Sequence, residues 1–191
     1  MLSARALSSA LRLLALLAAL FAIGCSARPA QSPASGLPYY GAEDASLLDD
    51  GLSGHLFATA FVPGNAGEDP HFAERVARAE SIWLVKVATV SREGSQSALG
   101  DNRRYGLSFK LLETLAGSPP TEPISLTISS KAPAFHWLDR VEGAWVGHEV
   151  LLLMRRYREG DEVRLHFRGE PNSAALRAQI LQIRRASAAQ R

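Results

Sequence analysis

From Ile82 to Val90 nearly every position is apolar, and only Lys86 and Thr89 interrupt the run. Such density predicts a strand covered on much of both faces. A polar loop containing Gly94, Gly100, Asp101 and Asn102 leads to a stricter alternation. Tyr105, Leu107, Phe109 and Leu111 fall on one side, Gly106, Ser108 and Lys110 on the other. Leu112 breaks this rhythm, and a bulge there is expected to keep Leu112 and Leu115 inward before Gly117, Pro119 and Pro120 end the strand. Ile124, Leu126 and Ile128 alternate with Ser125, Thr127 and Ser129 as a third strand. Val150 to Met154 form a fourth, joined through a turn at Arg158 to Glu162 to a fifth in which Val163, Leu165 and Phe167 face in.

The connections carry helical signals. Asp69 followed by Pro70 predicts a helix start, with Phe72 and Val76 on one face. Lys131 to His148 has no strand pattern and predicts a short helix around Phe135 to Val141, with Trp137 and Trp145 sealing one end of the core or lining a groove. Trp83 reads as core. Asn172 is placed to cap a last helix whose Leu176, Ile180 and Ile183 recur at helical spacing. The fold class expected is mainly β with flanking helices, a five-stranded OB-like barrel over residues 69–186.

The N-terminus has a different character. Residues 1–24 hold Arg5 and Arg12, no acidic residue, and eleven consecutive apolar residues from Leu13 to Ile23, then Gly24 and the only cysteine, Cys25. Eleven helical residues span only about 16 Å, roughly half a hydrocarbon core, so the segment reads as a secretory signal and a poor permanent span. Ala22-Ile23-Gly24-Cys25 resembles the lipobox of bacterial lipoproteins. That resemblance implies cleavage between Gly24 and Cys25 and acylation of Cys25 with chains such as palmitate. It also implies attachment to the bacterial cell envelope on the extracytoplasmic side, the outer membrane being favoured by Ser26 where the cell has one. Acylation also accounts for a lone thiol that has no disulfide partner.

Charge adds a contrast between segments. Without Arg5 and Arg12 the chain holds 19 basic and 19 acidic residues, so global charge gives no reason to expect nucleic acid as a partner. Ser26 to Glu68 nonetheless carries a net charge of −4 and Asp69 to Arg191 one of +4. Glycine, proline, serine and alanine make up 15 of the 27 residues from Ser26 to Leu52, which predicts a flexible tether over residues 25–68. The apolar patch from Gly54 to Pro63 is a candidate extra strand within it. Residues 187–191 are expected to be a disordered tail.

Five strands with the long connection between the third and the fourth have the order of an OB-fold. The stretches Ile82 to Val90, Phe109 to Pro120 and Trp145 to Met154 resemble the netrin and tissue-inhibitor-of-metalloproteinase variety. This implies the barrel and carries over no inhibitory residue, because the inhibitors act through an N-terminal cysteine that this domain lacks.

Candidate chemistry is sparse. Ser129 or Ser130, His136 and Asp139 include the types of a nucleophile, base and orienter, but no glycine-flanked elbow holds either serine. The five histidines form no His-x-His or His-x-x-x-His pair, read as surface or loop residues, and predict neither metal nor cofactor. Arg155, Arg156, Arg164 and Arg168 lie on adjacent predicted strands, with His166 between them, and form a possible anion-binding face. The function expected is that of a membrane-anchored envelope lipoprotein with a small non-enzymatic binding or structural domain, its partner an envelope protein or an anionic glycolipid. The alternative is an envelope hydrolase using Ser130, His136 and Asp139.

Overall fold

The computed structural model describes residues 36–57, 66–97 and 100–189. Gly24, Cys25, the signal segment, the first part of the expected tether and the stretch 58–65 lie outside the described residues. Among those described, no helix is long and apolar enough to cross a membrane.

The domain is mainly β with flanking helices. A short helix, α1 (Ala42–Leu47), leads to β1 (Gly51–Leu52) and a 3-10 turn at Gly54–Phe57, and α2 (Phe72–Arg78) precedes the long strand β2 (Ser81–Glu93). A small ribbon of β3 (Gln96–Ser97) and β4 (Gly100–Asp101) is followed by β5 (Arg104–Ala116), β6 (Ile124–Ser129) and α3 (Pro133–Val141). The hairpin β7 (Glu149–Glu159) and β8 (Glu162–Pro171) leads into α4 (Ala174–Ala189). One curled six-stranded sheet has the order β1-β8-β7-β2-β5-β6, antiparallel except for the parallel pair β1 and β8.

The curl has local causes. Leu84 pairs with Glu113 and Val85 with Leu111, so Leu112 is an extra residue; Leu115 and Ala88 are skipped in the same way. Each bulge bends and twists its strand. The expected bulge at Leu112 is therefore present, but it turns that side chain outward, 43% exposed, while Leu115 packs against the core.

Both faces of the sheet are covered along most of its length. Val85, Val87, Tyr105, Leu107, Val150 and Leu152 point to the concave face, where Phe57, Phe135 and Trp145 fill one end. Ile82, Leu84, Leu151, Leu153 and Tyr157 point to the convex face, under Phe72 and Val76 of α2 and Leu176 and Ile180 of α4. Burial on both sides is why β2 and β7 are apolar at almost every position. Trp137 and Trp145 pack in the concave core, and Trp145 also lines a small cleft of about 170 Å³ with Leu56, Phe57, Val141 and His148.

Several expectations need correction. Leu47, Leu48 and Leu52 are all but completely buried, so residues 36–57 belong to the folded domain and not to the tether expected over residues 25–68. Composition misled because a few leucines anchor a segment otherwise made of small residues. An extra strand does form at Gly51–Leu52, just before the predicted patch; of that patch Gly54–Phe57 is a 3-10 turn that puts Phe57 into the core, and residues 58–63 lie outside the described residues. Ser173, not Asn172, caps the last helix, its hydroxyl accepting from Leu176 N–H at 3.1 Å, and that helix continues through residues 187–189. The sheet has six strands, and β6 and β8 do not pair. With nothing closing that gap, Val163 and Leu165 are each 45% exposed, and only Phe167 of their row is buried.

Candidate functional site

β7 runs on past the start of β2. Ser81 pairs with Met154, and further along the same edge Arg158 N–H donates to Pro38 O at 2.9 Å while Tyr40 N–H donates to Arg158 O at 3.2 Å. Arg155 and Arg156 occupy the gap between these two pairings. Successive residues of a strand point to opposite faces. Arg155 therefore turns to the convex face, its guanidinium 5.2 Å from the centre of the Tyr157 ring. Arg156 turns to the concave face opposite Leu165 and is held by Glu80, whose Oε1 accepts from Arg156 Nε at 3.1 Å. That hydrogen bond holds the Glu80 carboxyl below its usual range and raises Arg156 in turn.

The Glu80–Arg156 pair lines two clefts at once. The first, of about 430 Å³, opens at the unclosed end of the concave face and is lined by Trp83, Ile124, Leu126, Met154 and Leu165. Pro119, Pro120 and Pro123 form another part of its wall. The Trp83 indole N–H donates to Ser118 O at 3.1 Å, which fixes the ring in the wall. Trp83 is thus a cleft residue more than a core one.

The second cleft, of about 510 Å³, lies on the convex side among Gly36–Pro38, Ala77–Glu80, Arg155, Arg156 and Arg184. Four arginines border it, Arg78 included, against the single carboxylate of Glu80. Arg78 is held by Glu43, by Glu74 at 2.7 Å and by Asp44 at 3.3 Å. Arg184 donates to the carbonyls of Ala79 at 3.0 Å and Val76 at 3.4 Å, where its charge meets the negative end of α2. Among the described residues, no carboxylate forms an ion pair with Arg155 or Arg184.

The predicted arginine face is not assembled as expected. Arg156 is on the opposite side of the sheet from Arg155, Arg164 and Arg168. Arg164 is neutralised by Glu159 and Glu162, each at 2.9 Å, and Arg168 by Asp49 at 2.6 Å. His166, expected at the surface, is 4% exposed, with Nδ1 2.9 Å from Asp50 Oδ2 and its ring stacked 3.5 Å from that of Tyr40. Burial pushes the Asp50 carboxyl up, against the pull of His166 and of the Phe167 N–H it accepts. Burial raises Tyr40 and Tyr157 too, Tyr157 to about 12 with the help of the hydrogen bond its hydroxyl donates to Asp44.

Two of the three hydrolase candidates, Ser130 and Asp139, are engaged elsewhere. Ser130 Oγ donates to Asp101 O at 3.3 Å, and Asp139 accepts from the Tyr105 hydroxyl at 2.7 Å and pairs with Arg92 at 3.3 Å. Among the described residues, no group of three His, Cys, Asp or Glu side chains is arranged to hold a metal ion. The two clefts escaped prediction because their residues come from distant positions, 36–38, 77–83, 118–126, 154–165 and 184. The signal in the sequence was the Arg155-Arg156 pair, whose neighbours could not be assigned. No protein-family model matches this chain, and no curated protein matches it.

Proposed function

We propose that this chain is a bacterial envelope lipoprotein, anchored through acyl groups on Cys25, whose domain is a non-enzymatic binding module. The observation that carries the reading is the pair of adjacent clefts, one apolar and one cationic, the cationic one beside the first described residues of the domain. A convergence of apolar wall and a few charged groups is the usual anatomy of a ligand site. The hydrolase alternative has less support, because Ser130 and Asp139 are each committed to other partners.

The finer architecture proposed is an OB-like barrel opened along one seam. β6-β5-β2-β7-β8 has the neighbour order of such a barrel, with the pairing of its third and last strands missing. Netrin-like kinship and outer-membrane residence remain expectations of the sequence. Metabolic labelling with a fatty-acid analogue tests the anchor. Label is expected on the wild type and absent from a Cys25→Ala protein, and label retained by that variant rejects it. Copurification from solubilised membranes tests the binding role, which fails if no lipid or envelope protein accompanies the chain.

A further inference from the structure

We infer that the two clefts are one site for an anionic lipid, its phosphate held in the arginine cleft and the first part of an acyl chain laid in the apolar cleft. This names a ligand for the binding module proposed above and rests on that reading. Adjacency is the first ground: Glu80 and Arg156, paired with each other, border both clefts, so a molecule with a charged head and an apolar tail would reach both by passing over this pair at the end of β2. Charge is the second. Arg155 and Arg184 bring to one side guanidinium groups that form no ion pair with a carboxylate among the described residues, and guanidinium forks suit phosphate oxygens. On the other side Leu165, 45% exposed, joins Trp83, Ile124, Leu126 and Met154 in an apolar floor left open by the unpaired strands.

An extended peptide is a poorer occupant. Its backbone would pair with the free edges of β6 and β8 at the open seam, but it brings no phosphate to the arginine cleft. Position is the third ground. Gly36, Leu37 and Pro38 line the arginine cleft, and ten residues separate Gly36 from Cys25. Ten residues reach at most about 35 Å, so an anchored chain keeps this cleft near the headgroups of its own membrane.

The test uses the purified full chain in a non-ionic detergent, titrated with lysophosphatidic acid carrying a brominated acyl chain and read by quenching of tryptophan fluorescence. Expected is saturable quenching that disappears in Trp83→Phe, weakens about tenfold in Arg155→Gln and weakens further as salt is raised. Brominated monoacylglycerol, which lacks the phosphate, should bind at least tenfold more weakly. Quenching that persists in Trp83→Phe, or that is equal for the two probes, overturns the assignment. Displacement by inorganic phosphate at the concentration of the lipid itself also overturns it, leaving a site for free phosphate. Native mass spectrometry of the wild type needs no variant: a one-to-one adduct with the phosphate lipid is expected, and its absence rejects the site. The mass of the mature N-terminus reports the anchor separately. A bound lipid with unmodified Cys25 rejects the anchor and keeps the cleft, whereas acylated Cys25 without the adduct rejects the cleft alone.

Discussion

Two groups of arginines sit on the convex side of this domain and meet different fates. Arg75 is 3% exposed and completely engaged: Nη1 reaches Glu170 at 2.7 Å, Nη2 reaches Asp69 at 3.0 Å, and Nε donates to Leu47 O at 2.7 Å. Arg168 likewise meets Asp49. Arg155 and Arg184 lie beside Gly36–Pro38 and find an aromatic ring and backbone carbonyls instead. The difference teaches that the net −4 segment is not a solvated spacer. Its Asp44 and Asp49 pair with Arg78 and Arg168 of the body and its Asp50 hydrogen-bonds His166, whereas no carboxylate among the described residues forms an ion pair with Arg155 or Arg184.

Breaking the engaged group should have the largest effect. Arg75→Met leaves the Glu170 carboxylate buried without its main partner, and stability should fall by about 3–5 kcal/mol in a denaturant melt. Adding Glu170→Leu to that variant should recover much of the loss; no recovery would mean that the bonds from Arg75 to Leu47 and Asp69 matter more than the ion pair.

Next in size is the apolar anchor of the same segment. Leu48, 0% exposed, should cost about 2–5 kcal/mol on replacement by alanine, whereas a residue of a flexible tether would cost almost nothing. A melting temperature within a degree of wild type would reject the docking of α1.

A smaller effect concerns pH. Burial raises Glu170 above its ordinary value of 4.5, against the pull of Arg75 and Arg168. Between its unfolded and folded pKa the folded state binds more protons, so this group's contribution to stability falls as pH rises through that window. The wild type should therefore lose ground relative to Glu170→Gln as pH climbs from about 4.5, the reverse of the trend for Asp69 and Glu80, which are depressed. Paired melts across pH 4 to 8 would detect the crossing, and parallel curves would contradict it.

Least of all should change in the open group. Arg155→Gln is expected to alter stability by no more than about 0.5 kcal/mol while it weakens lipid binding. A large loss of stability would move Arg155 into the engaged class and dissolve the contrast.

What the chain alone determined was local. Alternation in β5 and β6, the doubly apolar runs of β2 and β7, the irregularity at Leu112 and the face of Leu176 and Ile180 were legible, because each depends on residues a few positions apart meeting a water-free side. The lipobox-like end is equally local, and with it the expectation of an anchor. Tertiary structure alone decided which carboxylate found which arginine, that β2 ends beside Arg155 and Arg156, and that β6 and β8 stay unpaired. Those outcomes depend on strand order and on charges brought together from over a hundred residues apart, such as Asp49 and Arg168, and no periodicity within a segment encodes them.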